Sequence, residues 1–209
     1  MAIRSMKRLV LLGLAITTST ALIPAQTKNA APSDRRPDSF QIYSLIMPGQ
    51  VFTDMDSGGP WAIADTTVNE DDMDPKLAPD SFLQPPADNP RAFQEAVSDY
   101  NQRKKERLVL KPPPRFNLPR PYTLLAPSDV ARFKAARASP GASSDDQSKY
   151  SQYLGITFLS EVYFNTAQTA ALVYILDWCG NLCSQAVWVY LEKRDGAWVL
   201  RSGKAPPQT

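Results

Sequence analysis

The stretch from Ile156 to Arg201 constrains the fold most, because apolar and polar residues alternate there in short runs separated by turn residues. The first run, 156–165, divides into two sets of residues that a strand would place on opposite faces. One set is Ile156, Phe158, Val162 and Phe164, and the other is Thr157, Glu161 and Asn165. The alternation therefore predicts a strand over 156–165.

Further strands are predicted after this one. Residues 170–178 are apolar on both faces, which is typical of a central strand covered on both sides. Residues 186–193 alternate again, and Asp195-Gly196 is a strong signal for a two-residue hairpin leading into 198–201. We therefore expect an α+β fold with a C-terminal four-stranded antiparallel meander over about 156–203, packed by N-terminal helices.

The two cysteines of the chain, Cys179 and Cys183, lie in the turn between two of these predicted strands. A thioredoxin-type redox pair has two intervening residues at the start of a helix, whereas these cysteines have three intervening residues in a hairpin. A metal site would need two more soft ligands, and the sequence contains no further cysteine and no histidine. The spacing therefore favours a local disulfide that fixes the turn.

The absence of histidine narrows the chemistry open to this chain. It excludes a Ser-His-Asp or Cys-His nucleophile, imidazole general-base catalysis and zinc sites that need imidazole. An enzyme would have to work through carboxylates, lysine, tyrosine or a bound cofactor. The acidic run at 70–74 lacks the ligand spacing of an EF-hand, and we predict no metal site and no cofactor.

Residues 1–25 have the order of a secretory signal peptide. An apolar run at 9–16 is followed by a polar stretch and small residues, and it is preceded by the basic residues Arg4, Lys7 and Arg8. The run is well short of the roughly 20 residues that span a bilayer, which favours a signal peptide over a membrane anchor. Cleavage is expected after Ala25, with Ala21 as the alternative.

Cleavage would also decide the charge of the mature chain. It removes three basic residues and no acid, and so changes the formal net charge from +2 to −1. A nearly neutral chain gives no reason to expect a nucleic-acid partner, and no later segment predicts stable membrane insertion. Because a signal peptide directs export, the expected location is outside the cytoplasm, either periplasmic or secreted.

The mature chain is expected to begin with a flexible polar segment at 26–38, followed by a single α+β domain at 39–203. Prolines make extended loops of 75–90 and 111–121, and 139–148 has the composition of a mobile loop. Helices that cover one face of the sheet are predicted around 39–47, 90–107 and 128–138. The first of them, for which a strand is the alternative, would bury Ile42, Leu45 and Ile46. The second would bury Phe93, Ala96, Val97 and Tyr100.

Two classes of function remain. The leading hypothesis is a non-enzymatic binding or structural module of the cell envelope, whose partner is an unknown protein or small ligand. The alternative is a carboxylate-based hydrolase that acts without histidine or metal, with Glu161, Asp177 and Glu192 as candidate catalytic acids. The alternative requires two of these acids on neighbouring strands to share a face and a pocket. Otherwise they would be surface carboxylates paired with lysine or arginine.

Four C-terminal motifs carry a resemblance to known sequences. They are Ser160-Glu-Val-Tyr-Phe-Asn165, Thr169-Ala-Ala-Leu-Val-Tyr174, Cys179-Gly-Asn-Leu-Cys183 and Leu191-Glu-Lys-Arg-Asp-Gly-Ala-Trp198. Together they resemble a family of uncharacterised exported bacterial proteins. Tyr163, Ala170 and Ser184 depart from that family's usual Gly, Gln and Gly. The resemblance implies an exported α+β domain of bacterial origin, and it supplies no activity.

Overall fold

The C-terminal strands belong to a larger sheet than the sequence predicts. The computed structural model describes residues 32–50, 59–73, 78–110, 115–138 and 141–201. The predicted signal peptide, residues 26–31 of the predicted flexible segment and parts of both proline-rich loops lie outside these ranges. The described residues all belong to one compact unit.

The described residues form five α-helices, a short 3-10 helix at Glu70–Asp72 and seven strands. The helices are α1 (Pro32–Gln50), α2 (Pro79–Phe82), α3 (Pro90–Arg103), α4 (Pro127–Ala138) and α5 (Ser144–Tyr150). The strands are β1 (Trp61–Ala64), β2 (Tyr122–Leu125), β3 (Ile156–Leu159), β4 (Tyr163–Phe164), β5 (Ala170–Gly180), β6 (Cys183–Arg194) and β7 (Ala197–Arg201).

The sheet is mixed, with strand order β2-β1-β3-β5-β6-β7 and β4 also paired to β5. β1 lies parallel to β2 and β3, whereas the pairs from β3 to β7 are antiparallel. The α+β class is therefore confirmed, and the predicted four-stranded meander is only part of a seven-stranded sheet. β1 and β2 are four residues each, too short for alternation to reveal which strands they pair with.

The predicted first strand of the meander is interrupted by a bulge at 160–162. Leu159 pairs with Ile175 and Tyr163 pairs with Leu172, so three residues of this strand face two residues of β5. The extra residue reverses the side-chain alternation, and Phe158 and Phe164 pack into cores on opposite faces of the sheet. The predicted grouping of these residues on one face is therefore wrong beyond Leu159.

Helices cover both faces of the sheet, and not one face as predicted. Phe93 of α3, Phe133 of α4 and Tyr150 of α5 pack in one core. The other core contains α1 residues such as Tyr43 and Ile46. β5 contributes alternate residues to both cores, as its apolar sequence on both faces predicts.

α1 is longer than predicted and presents a different stripe to the core. Residues 32–38, predicted as part of the flexible segment, are helical. Asp38 is held against the sheet because its carboxylate accepts hydrogen bonds from Lys193 Nζ at 3.2 Å and Trp198 Nε1 at 3.3 Å. Tyr43 is fully buried in the stripe, whereas Leu45, predicted to be buried, is 39% exposed.

Other boundaries follow local chemistry. α3 ends at Arg103, four residues before its predicted end. α5 begins inside the predicted mobile loop at 139–148 and ends two residues beyond it. Its N-terminus is capped by the Ser143 hydroxyl, which accepts a hydrogen bond from the Asp146 backbone N–H. The predicted Asp195-Gly196 turn is confirmed: both residues have positive φ, 51° and 81°, as a type I′ hairpin requires.

No helix within the described ranges has both the length and the apolar character needed to cross a bilayer.

Candidate functional site

Glu161, the first of the predicted acids, lies in the bulge between β3 and β4. Its carboxylate is buried and accepts a hydrogen bond from the Arg103 guanidinium at the end of α3. Arg103 also donates to Glu106 at 2.9 Å and lies 3.7 Å from an Asp99 oxygen. Burial acts to lower the pKa of Arg103, but Glu161, Asp99 and Glu106 outweigh it and raise that pKa.

Asp177 lies on the opposite face of the sheet from Glu161. Asp177 is on the same face of β5 as Val173 and Ile175, because side chains at every second position of a strand share a face. Val173 and Ile175 belong to the core on the α1 side. The Thr157 hydroxyl, directly across the strand pair, donates a 2.7 Å hydrogen bond to its carboxylate. This is a buried cross-strand pair within the sheet.

Glu192 lies on the same face as Glu161 but at the other end of α3. Its carboxylate accepts hydrogen bonds from Tyr190 Oη at 2.9 Å and Asn89 Nδ2 at 3.2 Å, and Arg201 Nε lies 3.3 Å away. Burial and the bond to Glu192 raise the pKa of Tyr190 well above its ordinary value. Glu192 therefore ties β6, β7 and the start of α3 together.

The structure brings no two of the three acids together. Asn89 and Arg103, the partners of Glu192 and Glu161, bracket α3, and a helix rising about 1.5 Å per residue separates them by about 21 Å. An acid/base pair of glycosidase type needs carboxyl groups about 5–10 Å apart. The expected surface position of these acids is wrong, because Glu161, Asp177 and Glu192 are all buried. Glu161 and Glu192 do lie beside arginines, whereas the hydrogen bond to Asp177 described above comes from a threonine.

The two cysteines and Trp188 contribute to the structure of the sheet and its core. Cys179 and Cys183 are joined by a disulfide, with their Cα atoms 5.1 Å apart, across the tip of the β5–β6 hairpin. Trp188 is buried, and its ring packs against the rings of Tyr100 and Tyr174. In the described part of the chain, no group of three cysteine or acidic residues converges in a way that could hold a metal ion.

A cleft of about 440 Å³ opens at the carboxyl ends of the parallel strands β1 and β2. The carboxyl ends of parallel strands are the usual place for a ligand site, because the chain leaves the sheet there and the ends leave a crevice. The apolar residues that line the cleft belong to, or pack against, the core that contains Phe93 of α3 and Phe133 of α4. The apolar residues include Ala64, Val68, Leu125, Val130, Phe158 and Leu176.

Polar residues converge on this cleft from separate parts of the sequence. They are Asp65, Thr66, Asp72, Arg107 and Lys134. The Arg107 guanidinium already has partners within the protein. Its Nη1 lies 2.7 Å from an Asp72 carboxylate oxygen, and its Nη2 donates a 3.1 Å hydrogen bond to Asn69 Oδ1. Asp72 in turn accepts from the Asn69 amide in a capping box at the 3-10 helix.

Lys134 reaches over the aromatic side of the cleft. Its Nζ lies 4.8 Å from the centre of the Phe158 ring and 5.6 Å from that of Trp178. Ring faces attract an ammonium group without neutralising it. The position of Lys134 is fixed by the contacts of α4 with the sheet, including the fully buried Phe133 that precedes it.

Sequence reasoning missed this cleft. Its lining comes from the ends of β1 and β2, from α4 and from the middle of β3 and β5, and the parallel pairing that joins these segments leaves no local pattern. The available signal was Asp65, an acid that directly follows a strand-like run. The acidic run at 70–74 was considered only as a calcium loop, although its Asp72 forms an ion pair with Arg107.

Comparison with known proteins gave no match: no family model, no curated protein and no solved structure is similar to this chain.

Proposed function

We propose that this is an exported, non-enzymatic protein that binds a small, partly apolar ligand in the cleft at the ends of β1 and β2. The observation that carries the proposal is the cleft itself, which combines an apolar floor with a few polar groups at its margin. Small-molecule sites have this composition, and their volumes are typically about 300–1,000 Å³. The cleft volume of about 440 Å³ falls within that range.

A second groove is a weaker candidate. It lies along α1 and is lined by Pro37, Gln41, Leu45, Arg115 and other residues. Pro37, Gln41 and Leu45 are exposed residues on the outer side of the helix. The floor of the cleft, in contrast, consists of sheet residues, among them the buried Ala64, Leu125 and Phe158, which favours the cleft as a preformed site.

Export is supported by the signal-like order of residues 1–25 and by the resemblance to exported bacterial proteins. The disulfide between Cys179 and Cys183 is compatible with an oxidising compartment. Mass spectrometry of the protein recovered from a bacterial periplasm or medium tests this part. A chain starting at Gln26 or Leu22 is expected, and a full-length cytoplasmic protein would contradict export.

Binding of a neutral apolar dye tests the cleft. N-phenyl-1-naphthylamine, which fluoresces in apolar surroundings, should show saturable binding to the purified protein. In the variant Val130→Trp the larger side chain fills the cleft from α4, and we expect the saturable signal to disappear. Ala131→Trp is the matched control, because it adds the same side chain to the next residue of α4, which is exposed and outside the lining.

Three results would contradict the proposal. The first is a wild-type protein that shows no saturable dye binding. The second is equal loss of dye binding in both tryptophan variants while their thermal unfolding matches wild type, because the effect would then not depend on the cleft. The third is unchanged binding in Val130→Trp, which would place the dye elsewhere.

A further inference from the structure

Of the four charged side chains that line the cleft, two form an ion pair with each other and two do not. Arg107 and Asp72 neutralise each other at 2.7 Å. Asp65 and Lys134 remain, and neither has an oppositely charged side chain within 4.0 Å among the described residues. The lining is therefore neutral overall, with one carboxylate and one ammonium group that do not pair with each other.

Asp65 is an unusual residue to find without a cation among the side chains that the structure describes. It is only 7% exposed, and its carboxylate accepts a 2.9 Å hydrogen bond from the Thr66 hydroxyl. Removing a carboxylate from water costs free energy unless a cation or several donors compensate, and buried acids are rarely found unpaired. A cationic group on a ligand in the cleft would supply the compensation.

Lys134 offers the complementary charge. Its ammonium group is held over Phe158 and Trp178 by the quadrupoles of the rings, and this contact leaves its hydrogen-bond donors available to an anion. An anionic group that met Lys134 beside these rings would be partly shielded from water. Its charge-assisted hydrogen bond would be correspondingly strong.

We propose that the ligand is a small zwitterion with an apolar body, whose cationic group pairs with Asp65 and whose anionic group pairs with Lys134. This inference rests on the proposed binding function of the cleft. The apolar body lies on Phe158, Leu176 and Val130. A simple fatty anion would leave Asp65 uncompensated, and a neutral apolar ligand would leave both charges uncompensated.

The dipeptide Leu-Phe and its blocked forms test the assignment with one apolar body in four charge states. The free dipeptide is a zwitterion, the N-acetyl form an anion, the C-terminal amide a cation, and the doubly blocked form is neutral. Isothermal titration of the purified protein should give the tightest binding for the free dipeptide. Each block should weaken binding about tenfold, as expected for one charge-assisted hydrogen bond.

Two variants assign the two charges. In Asp65→Asn the free and N-acetylated dipeptides should bind equally, whereas the preference for a free carboxylate should remain. In Lys134→Met, which keeps an unbranched apolar stem, the preference for a free carboxylate should disappear. Arg132→Met is the matched control, because Arg132 is a half-exposed cation on the same helix outside the cleft, and it should change neither preference.

The outcomes separate the two proposals. If the apolar dye binds in the cleft but the free dipeptide does not bind, or binds no more tightly than its blocked forms, the zwitterion assignment is overturned and the binding site stands. Preferences that persist unchanged in Asp65→Asn and Lys134→Met would also overturn it. If neither the dye nor any dipeptide form binds, the proposed function itself fails.

Discussion

Arg103 and Glu161, which are 58 residues apart in the sequence, join the end of α3 to the bulge between β3 and β4. Both side chains are largely buried, with 16% and 8% of their areas exposed. The bulge turns Glu161 toward α3, and the pair therefore links the helix layer to the strand that forms one side of the cleft.

Removal of Arg103 should be strongly destabilising. Arg103→Met leaves Glu161 as a buried carboxylate without its cation, and we expect the free energy of unfolding in urea to fall by about 3–5 kcal/mol. Arg132→Met, which breaks a half-exposed ion pair with Asp129, should cost less than about 1 kcal/mol. Equal effects of the two substitutions would show that the Arg103–Glu161 pair is not buried in solution.

Tyr43 should stabilise the bulge from the opposite face. Its hydroxyl donates a buried 2.8 Å hydrogen bond to the Ser160 carbonyl oxygen, and Tyr43→Phe would leave that oxygen without this donor. We expect a loss of about 1–2 kcal/mol in urea denaturation. Tyr122→Phe is a suitable control, because no hydrogen bond to the Tyr122 hydroxyl occurs among the described residues. A loss no larger than that of the control would argue against this packing of α1.

The bulge also explains where sequence reasoning stopped. Apolar runs and their alternation predicted strands at 156–165, 170–178 and 186–193. The structure has β3 and β4 within the first range, and β5 and β6 cover the other two. The same alternation could not reveal one extra residue at 160–162, because a strand with a bulge and a strand without one have the same composition. The faces of Val162, Phe164 and Glu161 were therefore assigned incorrectly.

The cleft could not be predicted from the sequence, and the reason differs from that for the bulge. Its charged residues, Asp65, Asp72, Arg107 and Lys134, come together only when β1 pairs in parallel with β2 and β3. Parallel pairs join segments that are far apart in the chain, and local periodicity carries no information about which segments meet. The disulfide, in contrast, was predictable because Cys179 and Cys183 are close in sequence and the chain has no other cysteine.

The link between α4 and α5 should weaken in acid. Hydrogen bonds from Lys149 and Tyr150 lower the pKa of Asp129, which lies in the first turn of α4. A folded-state pKa below the unfolded value contributes stability above the unfolded pKa, and this contribution is lost as pH falls through the folded pKa. Unfolding in urea at a series of pH values below about 4 should therefore show a steeper loss for wild type than for Asp129→Asn. Parallel pH curves would contradict this.

The disulfide should make a modest, local contribution. A loop closed by Cys179 and Cys183 is short, and chain entropy gives it about 2 kcal/mol. Cys179→Ser/Cys183→Ser should lower the free energy of unfolding by about that amount and leave dye binding in the cleft unchanged. Titration of thiols in the denatured, oxidised protein should find none, and two free thiols would contradict the bridge.

The most direct test of the account is to locate a bound ligand by NMR. On titration with N-phenyl-1-naphthylamine, amide chemical-shift changes should concentrate at Ala64, Thr66, Leu125, Val130 and Phe158, which line the cleft. Gln41 and Leu45, in the groove along α1, should stay unchanged. Shifts confined to α1, or no saturable shifts at the cleft residues, would contradict the cleft as the binding site.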